Sequence, residues 1–190
     1  MVATLEPYTV ADLRRLREET KDRLEMIEGE VFVVPESSVL HQGTSVRLTH
    51  ALFVQVELAG TGRVLCGPID VKLSDVDVVQ PDLVVILPNG GAHLAPEAIV
   101  GLPALLVELV SPTSRVQDRQ VKRRIYAKAG VPEYWLVDLA SRIVAVLTDP
   151  VEGDYRTEVT VGEGDTLRSA TIPGVEIAVA DLFPPSFKGV

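Results

Sequence analysis

The stretch "ALLVELVSP", Ala104 to Pro112, carries the clearest information about how this chain folds. Leu105 to Val110 form a nearly continuous apolar run, which is typical of a β-strand that is covered on both faces. Glu108 lies inside that run, and burying an ionised carboxylate without a partner costs several kcal/mol. We therefore expect Glu108 either to keep its proton or to face a cation.

Helical and extended patterns alternate on both sides of this strand. A short helix capped by Thr9, an amphipathic helix over 41–60 and a helix over 115–130 are expected. The extended segments are a hairpin that turns at Glu28-Gly29, strands at 63–66, 69–73, 78–87 and 132–149, and short strands in the tail, with a loop over 88–103. This order predicts an α/β or α+β fold with one mixed sheet, because a β-sandwich would leave the helices without a place.

The composition predicts a single folded domain over residues 1–190. Hydrophobic residues make up 46% and charged residues 24% of the chain, which is ordinary for a globular protein. No apolar run approaches the ~18 residues of a membrane span, and the charged N-terminus lacks the apolar core of a signal peptide. Cys66 is the only cysteine, which excludes an internal disulfide and a cysteine-based zinc site. We expect a cytoplasmic protein without a membrane partner.

Two acidic residues at the ends of apolar strands form the candidate site. Asp82 follows Pro81 at the start of one strand, and Glu108 lies in the next long strand. If these strands are neighbours, the two carboxylates converge, and two carboxylates completed by water and substrate phosphate suit Mg²⁺. The alternatives are that an arginine or backbone hydrogen bonds satisfy Glu108, and that Pro-Asp is simply a turn.

The distribution of charge leaves room for one basic surface. The net charge of −9 counts against a protein that coats nucleic acid, but not against an enzyme with a local basic patch. The segment "RVQDRQVKRR" (115–124) holds five basic residues and one acidic residue. A solvated helix face explains this run equally well. If the segment does bind nucleic acid, the candidates for phosphate contacts are Arg115, Arg119, Arg123 and Arg124.

Several motifs resemble those of known nucleases. "QPD" at 80–82 and "VELVSPTS" at 107–114 resemble the PD-(D/E)XK nuclease superfamily. The chain is more closely similar to the bacterial Uma family of restriction-endonuclease-like proteins, through "LEMIEGEVFVVP", "DVKLSD", "VVQPDLVVI", "KRRIYAKAGVPEYWLVD" and "IPGVEI". The resemblance implies a restriction-endonuclease-like fold, in which a mixed β-sheet with additional antiparallel strands is flanked by helices.

The resemblance also implies a metal site. In the superfamily the two motif acids bind a divalent metal, which assigns Asp82, Glu108 and the backbone carbonyl of Leu109 to Mg²⁺ or Mn²⁺. The position of the motif lysine is Val110, which can neither donate a proton nor orient water. In the resembled family a lysine on the following helix takes this role, and Lys122 matches it.

Other residues have two possible roles each. Lys122 could instead form an ion pair with Asp118 on an exposed helix face, which would contribute only a few tenths of a kcal/mol. The resemblance implies that Glu30 adds an acid to the site, with Gln80 a weaker candidate. His41 is expected to contact phosphate or water, or to cap a helix. Tyr126 is expected either to stack on a base or to pack in the core.

Taken with the residues above, the resemblance implies a metal-dependent phosphodiesterase that cuts DNA, as a homodimer. A catalytically inactive nuclease-fold module that binds nucleic acid or has a regulatory role is the main alternative, and the missing strand lysine and the acidic charge favour it. A third hypothesis is a structural protein that assembles through a sheet edge.

Overall fold

Strands dominate the part of the chain that the structure, a computed structural model, describes: residues 6–111, 114 and 116–185. The helices are α1 (Val10–Glu19), α2 (Val39–Leu52), α3 (Arg123–Ala129) and α4 (Val179–Leu182); a π-helical segment, Phe53–Glu57, extends α2, and another, Gln117–Lys122, precedes α3. The strands are β1 (Leu24–Ile27), β2 (Glu30–Val33), β3 (Arg63–Cys66), β4 (Asp70–Lys72), β5 (Val78–Val79), β6 (Leu83–Ile86), β7 (Gly91–Leu94), β8 (Ala98–Leu102), β9 (Leu105–Val110), β10 (Glu133–Asp138), β11 (Ile143–Val151), β12 (Asp154–Val161), β13 (Thr166–Arg168) and β14 (Glu176–Ala178).

The strands form two mixed six-stranded sheets and one two-stranded sheet. The first sheet has the order β2-β1-β5-β4-β8-β7, and the second has the order β12-β11-β10-β9-β6-β3. One pair in each sheet is parallel, β4 with β8 and β9 with β10, and the other pairs are antiparallel. The predicted mixture of helices and mixed sheets is confirmed, although two mixed sheets replace the single one that we predicted.

β9 is the strand on which the two largest of the three hydrophobic cores among the described residues meet. All six of its residues are buried, as the apolar run predicts. Leu105, Val107 and Leu109 face a core that includes residues of α2 and α4. Leu106 and Val110 face a second core, built with residues of the first sheet and of α3. Because alternate residues of a strand point to opposite faces, Glu108 points toward the second core.

The segment Gln80–Asp82 carries the chain from one sheet to the other. β5 ends at Val79 in the first sheet, and β6 begins at Leu83 in the second. Pro81 lies between them, where its missing N–H breaks no ladder. The Gln80 N–H donates to the side chain of Glu25 on β1, while the Asp82 N–H donates to the carbonyl of Val107 on β9. The two sheets therefore approach each other at this crossing.

Local sequence rules explain several boundaries. Thr9 caps α1 and forms a capping box with Asp12. Glu28 and Gly29 both have positive φ, 52° and 74°, as a tight hairpin turn between β1 and β2 requires. α3 ends at Gly130, whose φ is 89°. These three predictions are confirmed.

The predicted loop over 88–103 is wrong, because β7 and β8 form an antiparallel pair there. Their short sequences contain Gly, Ala and His and show no strong alternation, and β8 is fixed by a long-range parallel pairing with β4. The local pattern of apolar and polar residues does not indicate that pairing. No helix among the described residues is long and apolar enough to cross a membrane.

Candidate active site

Asp82 and Glu108 lie close together at the start of β6. β6 and β9 are antiparallel neighbours, and Leu83 is opposite Val107. The Asp82 N–H donates to the Val107 carbonyl over 3.1 Å, and the Leu109 N–H donates to Asp82 Oδ2 over 2.7 Å. Asp82 is thus hydrogen-bonded to the residues on both sides of Glu108, and both acids line the same pocket. The prediction that the strands of Asp82 and Glu108 are neighbours is confirmed.

The cation that faces Glu108 is Lys122. Its Nζ lies 2.9 Å from Glu108 Oε1, 2.9 Å from Glu25 Oε1 and 3.8 Å from Asp118 Oδ1. The side chains of all four residues are at most 5% exposed. The Asp118–Lys122 pair that the helical spacing indicates therefore exists, but it lies in the interior rather than on an exposed helix face.

Tyr126 supports Glu108 from the core. Its hydroxyl donates to Glu108 Oε1 over 2.7 Å. The ring is fully buried and meets Tyr134 edge to face, with ring centroids 4.9 Å apart. The expectation that Tyr126 stacks on a base is not met, because the ring has no exposed face. One turn separates Lys122 from Tyr126, and this spacing places both side chains on Glu108.

The acid that the first hairpin contributes is Glu25 and not Glu30. Glu30 is exposed on β2, opposite Ile27, and does not line the pocket. Glu25 is 1% exposed, because β1 runs beneath the crossing segment. The sequence analysis missed Glu25, yet it carries the same signature as Glu108: an acid within the apolar run "LEMI". Asp118 was considered only as an ion-pair partner of Lys122.

Gln80 and His41 both lie at the pocket. Gln80 accepts a hydrogen bond from Arg23 Nε over 3.2 Å and donates to Asp70 Oδ1 over 2.9 Å. His41 Nε2 lies 3.1 Å from Asp82 Oδ1. The backbone N–H of His41 also donates to the hydroxyl of Ser38, which caps the start of α2. The cap residue of α2 is therefore Ser38 and not His41, and the contact of His41 with phosphate or water stays a prediction.

Burial dominates the protonation of the cluster. Desolvation raises the pKa of Glu108 well above its ordinary value; the neighbouring carboxylates add to this rise, and Lys122 opposes it. Desolvation likewise raises the pKa of Asp118 to about 6. Desolvation lowers the pKa of Lys122, but the carboxylates of Glu108, Glu25 and Asp118 outweigh this effect, and the pKa lies well above its ordinary value. The acids outnumber the cation, so the cluster favours an additional positive charge.

The donor set suits a divalent cation that keeps part of its own coordination shell. In the described part of the chain, no three His, Cys, Asp or Glu side chains group into a metal site. Mg²⁺, however, commonly binds through one or two carboxylates, with water and substrate phosphate completing the shell. The N–H of Leu109 points to Asp82, and its carbonyl leaves the same edge of the strand. Asp82, Glu108 and this carbonyl are compatible with such a site.

The described arginines of the basic segment 115–124 are paired with acids. Arg119 pairs with Asp138, Arg123 pairs with both Asp154 and Glu158, and Arg124 forms two hydrogen bonds with Glu28. Acids from other elements therefore neutralise these arginines, which the sequence alone could not indicate. Arg115 lies outside the described residues.

Comparisons with known proteins give a family and a similar fold. Residues 10–180 match the Uma2 family, described as "Putative restriction endonuclease". A crystal structure from Anabaena variabilis ATCC 29413, of "a putative nuclease belonging to DUF820", superposes with a TM-score of 0.75 at 18% sequence identity, covering 93% of this chain and 97% of that chain. That likeness shows a shared fold. No curated protein matches the chain. The match over most of the chain supports a nuclease-like role, and we conclude that the chain belongs to the Uma2 family.

Proposed function

We propose that the protein is a nuclease that hydrolyses phosphodiester bonds in DNA with Mg²⁺ or Mn²⁺ as cofactor. The observation that carries the proposal is the contact of 2.9 Å between Lys122 Nζ and Glu108 Oε1, beside Asp82. A lysine next to two acids suits metal-assisted phosphodiester hydrolysis, because the acids can hold a cation and the lysine can stabilise charge on the phosphate. Here the lysine comes from the helical segment, because Val110 fills the strand position and is buried in the core.

Each group has a distinct role in this proposal. Asp82, Glu108 and the Leu109 carbonyl hold the cation, whose chemistry is to polarise a phosphoryl oxygen and to make water more acidic. Lys122 orients the attacking water or stabilises the charge that develops on the phosphate. Tyr126 holds Glu108 in place through its hydroxyl. Glu25 keeps Lys122 protonated and turned toward the site.

The decisive experiment compares isosteric variants in a cleavage assay. Labelled duplex DNA, single-stranded DNA and RNA are each incubated with Mg²⁺ or Mn²⁺, and the products are separated by size. We expect Asp82→Asn and Glu108→Gln to reduce cleavage at least about 100-fold, since each removes a metal-binding charge. Both variants should stay folded. Asp82→Asn keeps an oxygen that can accept from the Leu109 N–H, and Glu108→Gln removes charge from a buried, acid-rich cluster.

Glu97→Gln is the matched control, because Glu97 is an exposed acid whose partner Arg14 is also exposed. It should cut as fast as the parent. The assignment is wrong if Asp82→Asn cuts DNA at the parent rate, or if Glu97→Gln loses as much activity as the site variants.

A catalytically inactive nuclease-fold module is the second candidate. It is favoured by the hydrogen bonds that already tie Lys122 to Glu25 and Glu108, leaving the lysine engaged without substrate. Calorimetric titration with Mn²⁺, run beside the cleavage assay, separates the two functions. A nuclease should bind Mn²⁺ and cut, and Lys122→Met should stop cutting while Mn²⁺ still binds. A module without turnover should bind nucleic acid and leave it intact under every condition.

A further inference from the structure

Arg23 differs from the other basic side chains that line the site pocket. Lys122 is paired with carboxylates, and His41 lies against Asp82. Arg23 is half-buried at the same pocket, and within the described residues no carboxylate forms an ion pair with it. Its Nε donates to the neutral side chain of Gln80, which leaves the two terminal nitrogens of the guanidinium directed away from that bond. An arginine in this state can bind an anion without first breaking an ion pair.

The guanidinium of Arg23 is held in place before any ligand arrives. The side chain of Gln80 accepts a hydrogen bond from Arg23 Nε over 3.2 Å and donates one to Asp70. Asp70 in turn forms an ion pair with Arg17. The backbone is also fixed, since the Arg23 carbonyl accepts from the Val34 N–H and extends the pairing of β1 and β2. This chain of contacts lowers the entropy that Arg23 loses on binding a ligand.

A second cavity adjoins the site pocket and shares Arg23, His41 and Asp82 with it. This cavity, which we call the α2 groove, runs along α2, has a volume of about 380 Å³ and is bordered by Phe53, whose side chain is 40% exposed. Such a volume falls in the range of small-molecule sites. Exposed aromatic rings beside a cationic group are typical of surfaces on which nucleic-acid bases stack.

We propose that Arg23 binds a backbone phosphate of the nucleic-acid substrate where the site pocket meets the α2 groove, so that the adjoining nucleoside lies in the groove against Phe53. This inference rests on the proposed function and names the residue that positions the substrate. The phosphate takes the free face of a guanidinium that Gln80 fixes from the other side. The acidic remainder of the pocket makes this cation necessary, because an unscreened phosphate would be repelled by Asp82 and Glu108.

The test measures binding rather than cleavage. Fluorescence anisotropy of a labelled single-stranded oligonucleotide is followed in Ca²⁺, for the parent and for Arg23→Gln, at a series of salt concentrations. We expect Arg23→Gln to weaken binding about tenfold and to lower the slope of log K against log salt by about 0.7, the value for one lost phosphate contact with a single strand. Arg23→Lys, which keeps the charge, should lose less affinity.

Two control variants match these changes. Arg156→Gln removes the same charge from an exposed position on β12 and should leave binding unchanged. Phe53→Ala should weaken binding at least about fivefold, whereas Leu58→Ala, an exposed apolar residue just beyond the π-helical extension and outside the groove, should not. The proposal is overturned if Arg23→Gln keeps the parent affinity and salt slope, or if Arg156→Gln loses as much.

The outcomes separate this inference from the proposed function. Binding that depends on Arg23, in a protein that never cuts, would uphold the phosphate site and refute the nuclease. Cleavage that depends on Asp82 but not on Arg23 would refute the phosphate site alone. Calorimetry with Mn²⁺ should give the same affinity for Arg23→Gln as for the parent, since Arg23 is not among the groups assigned to the cation.

Discussion

At the scale of residues, a single buried lysine is central to the proposed chemistry. Val110 takes the strand position of the superfamily lysine, and its side chain is packed in the core. Lys122, on the π-helical segment before α3, places its Nζ 2.9 Å from a carboxylate oxygen of Glu108 and 2.9 Å from one of Glu25. A lysine nitrogen therefore lies beside Glu108 although no lysine occupies the strand position. In the proposed function, what matters is where this nitrogen lies and not which element carries it.

The first prediction concerns the stability that Lys122 provides. Lys122→Met keeps much of the side-chain volume but leaves Glu25, Glu108 and Asp118 buried without their cation. We expect the free energy of unfolding to fall by about 3–5 kcal/mol at pH 8, because uncompensated buried charge is strongly destabilising. The loss should be smaller at pH 5, because burial raises the pKa of Glu108 and of Asp118 and both can then take up a proton. Urea unfolding measures both values.

Lys128→Met is the control for this change, because Lys128 is 69% exposed and only 3.7 Å from one oxygen of Glu28. It should change stability by less than about 1 kcal/mol at either pH. Equal losses for the two variants would contradict the buried ion-pair cluster.

The second prediction follows from the pKa of Asp118, which burial raises to about 6 from 3.8. The folded state then binds more protons than the unfolded state between these two values, so this group lowers stability as the pH rises through that window. The cost is absent below about pH 4 and complete above about pH 7, and at about 1.4 kcal/mol per pKa unit it amounts to about 3 kcal/mol.

Asp118→Asn removes the titration. In EDTA, unfolding by urea should show the variant gaining stability relative to the parent between pH 4 and pH 7. A difference that stays constant across this range would show that Asp118 does not titrate as its burial indicates.

At the scale of elements, backbone geometry explains a pair of strands that the local pattern did not predict. β7 and β8 lie in the segment predicted as a loop, and their pairing depends on one close contact between their backbones. Gly101 on β8 has a φ of +98°, and a Cβ built there would lie 2.1 Å from the carbonyl oxygen of Gly91 on β7. Only glycine allows this contact, so the hairpin depends on a residue without a side chain.

The third prediction compares two glycines with positive φ. Gly101→Ala should lower the free energy of unfolding by more than about 2 kcal/mol, because both the dihedral angle and the contact with Gly91 are unfavourable. At Gly60, φ is +71° and a Cβ would meet nothing within 4 Å. Gly60→Ala should therefore cost only the dihedral term of about 1–2 kcal/mol. Chemical denaturation of both variants checks the order, and a larger loss at Gly60 would contradict it.

At the scale of the whole molecule, charge is distributed between paired arginines and an acidic remainder. The net charge is −9, and the described arginines of the segment 115–124 are neutralised by acids of other elements. A nucleic acid therefore meets little free positive charge on that helix. The single domain over 1–190, the homodimer and the cytoplasmic location stay predictions.

The fourth prediction tests this distribution. Arg123 pairs with Asp154 and Glu158 across α3 and β12. Arg123→Gln should lower the free energy of unfolding by about 1 kcal/mol, a typical value for partly exposed ion pairs. It should change oligonucleotide affinity less than twofold, because no free charge is lost. An affinity loss as large as that of Arg23→Gln would show that the basic helix contacts phosphate after all.

By itself the sequence determined the mixed class, the cap at Thr9, the turn at Glu28-Gly29 and the buried strand 105–110. Each of these depends on local pattern, which is encoded at short range. The convergence of Asp82 with Glu108 followed only on the condition that their strands are neighbours, and the pairing of β6 with β9 supplies that condition. The tertiary structure decided what surrounds Glu108. The acid of the first hairpin at this site is Glu25 and not Glu30, and Tyr126 points into the core. Acids of other elements form ion pairs with the described arginines of the basic segment. All three contacts depend on how two sheets and a helix pack against each other. A side chain's partner is set by distances between segments that the order of residues does not contain.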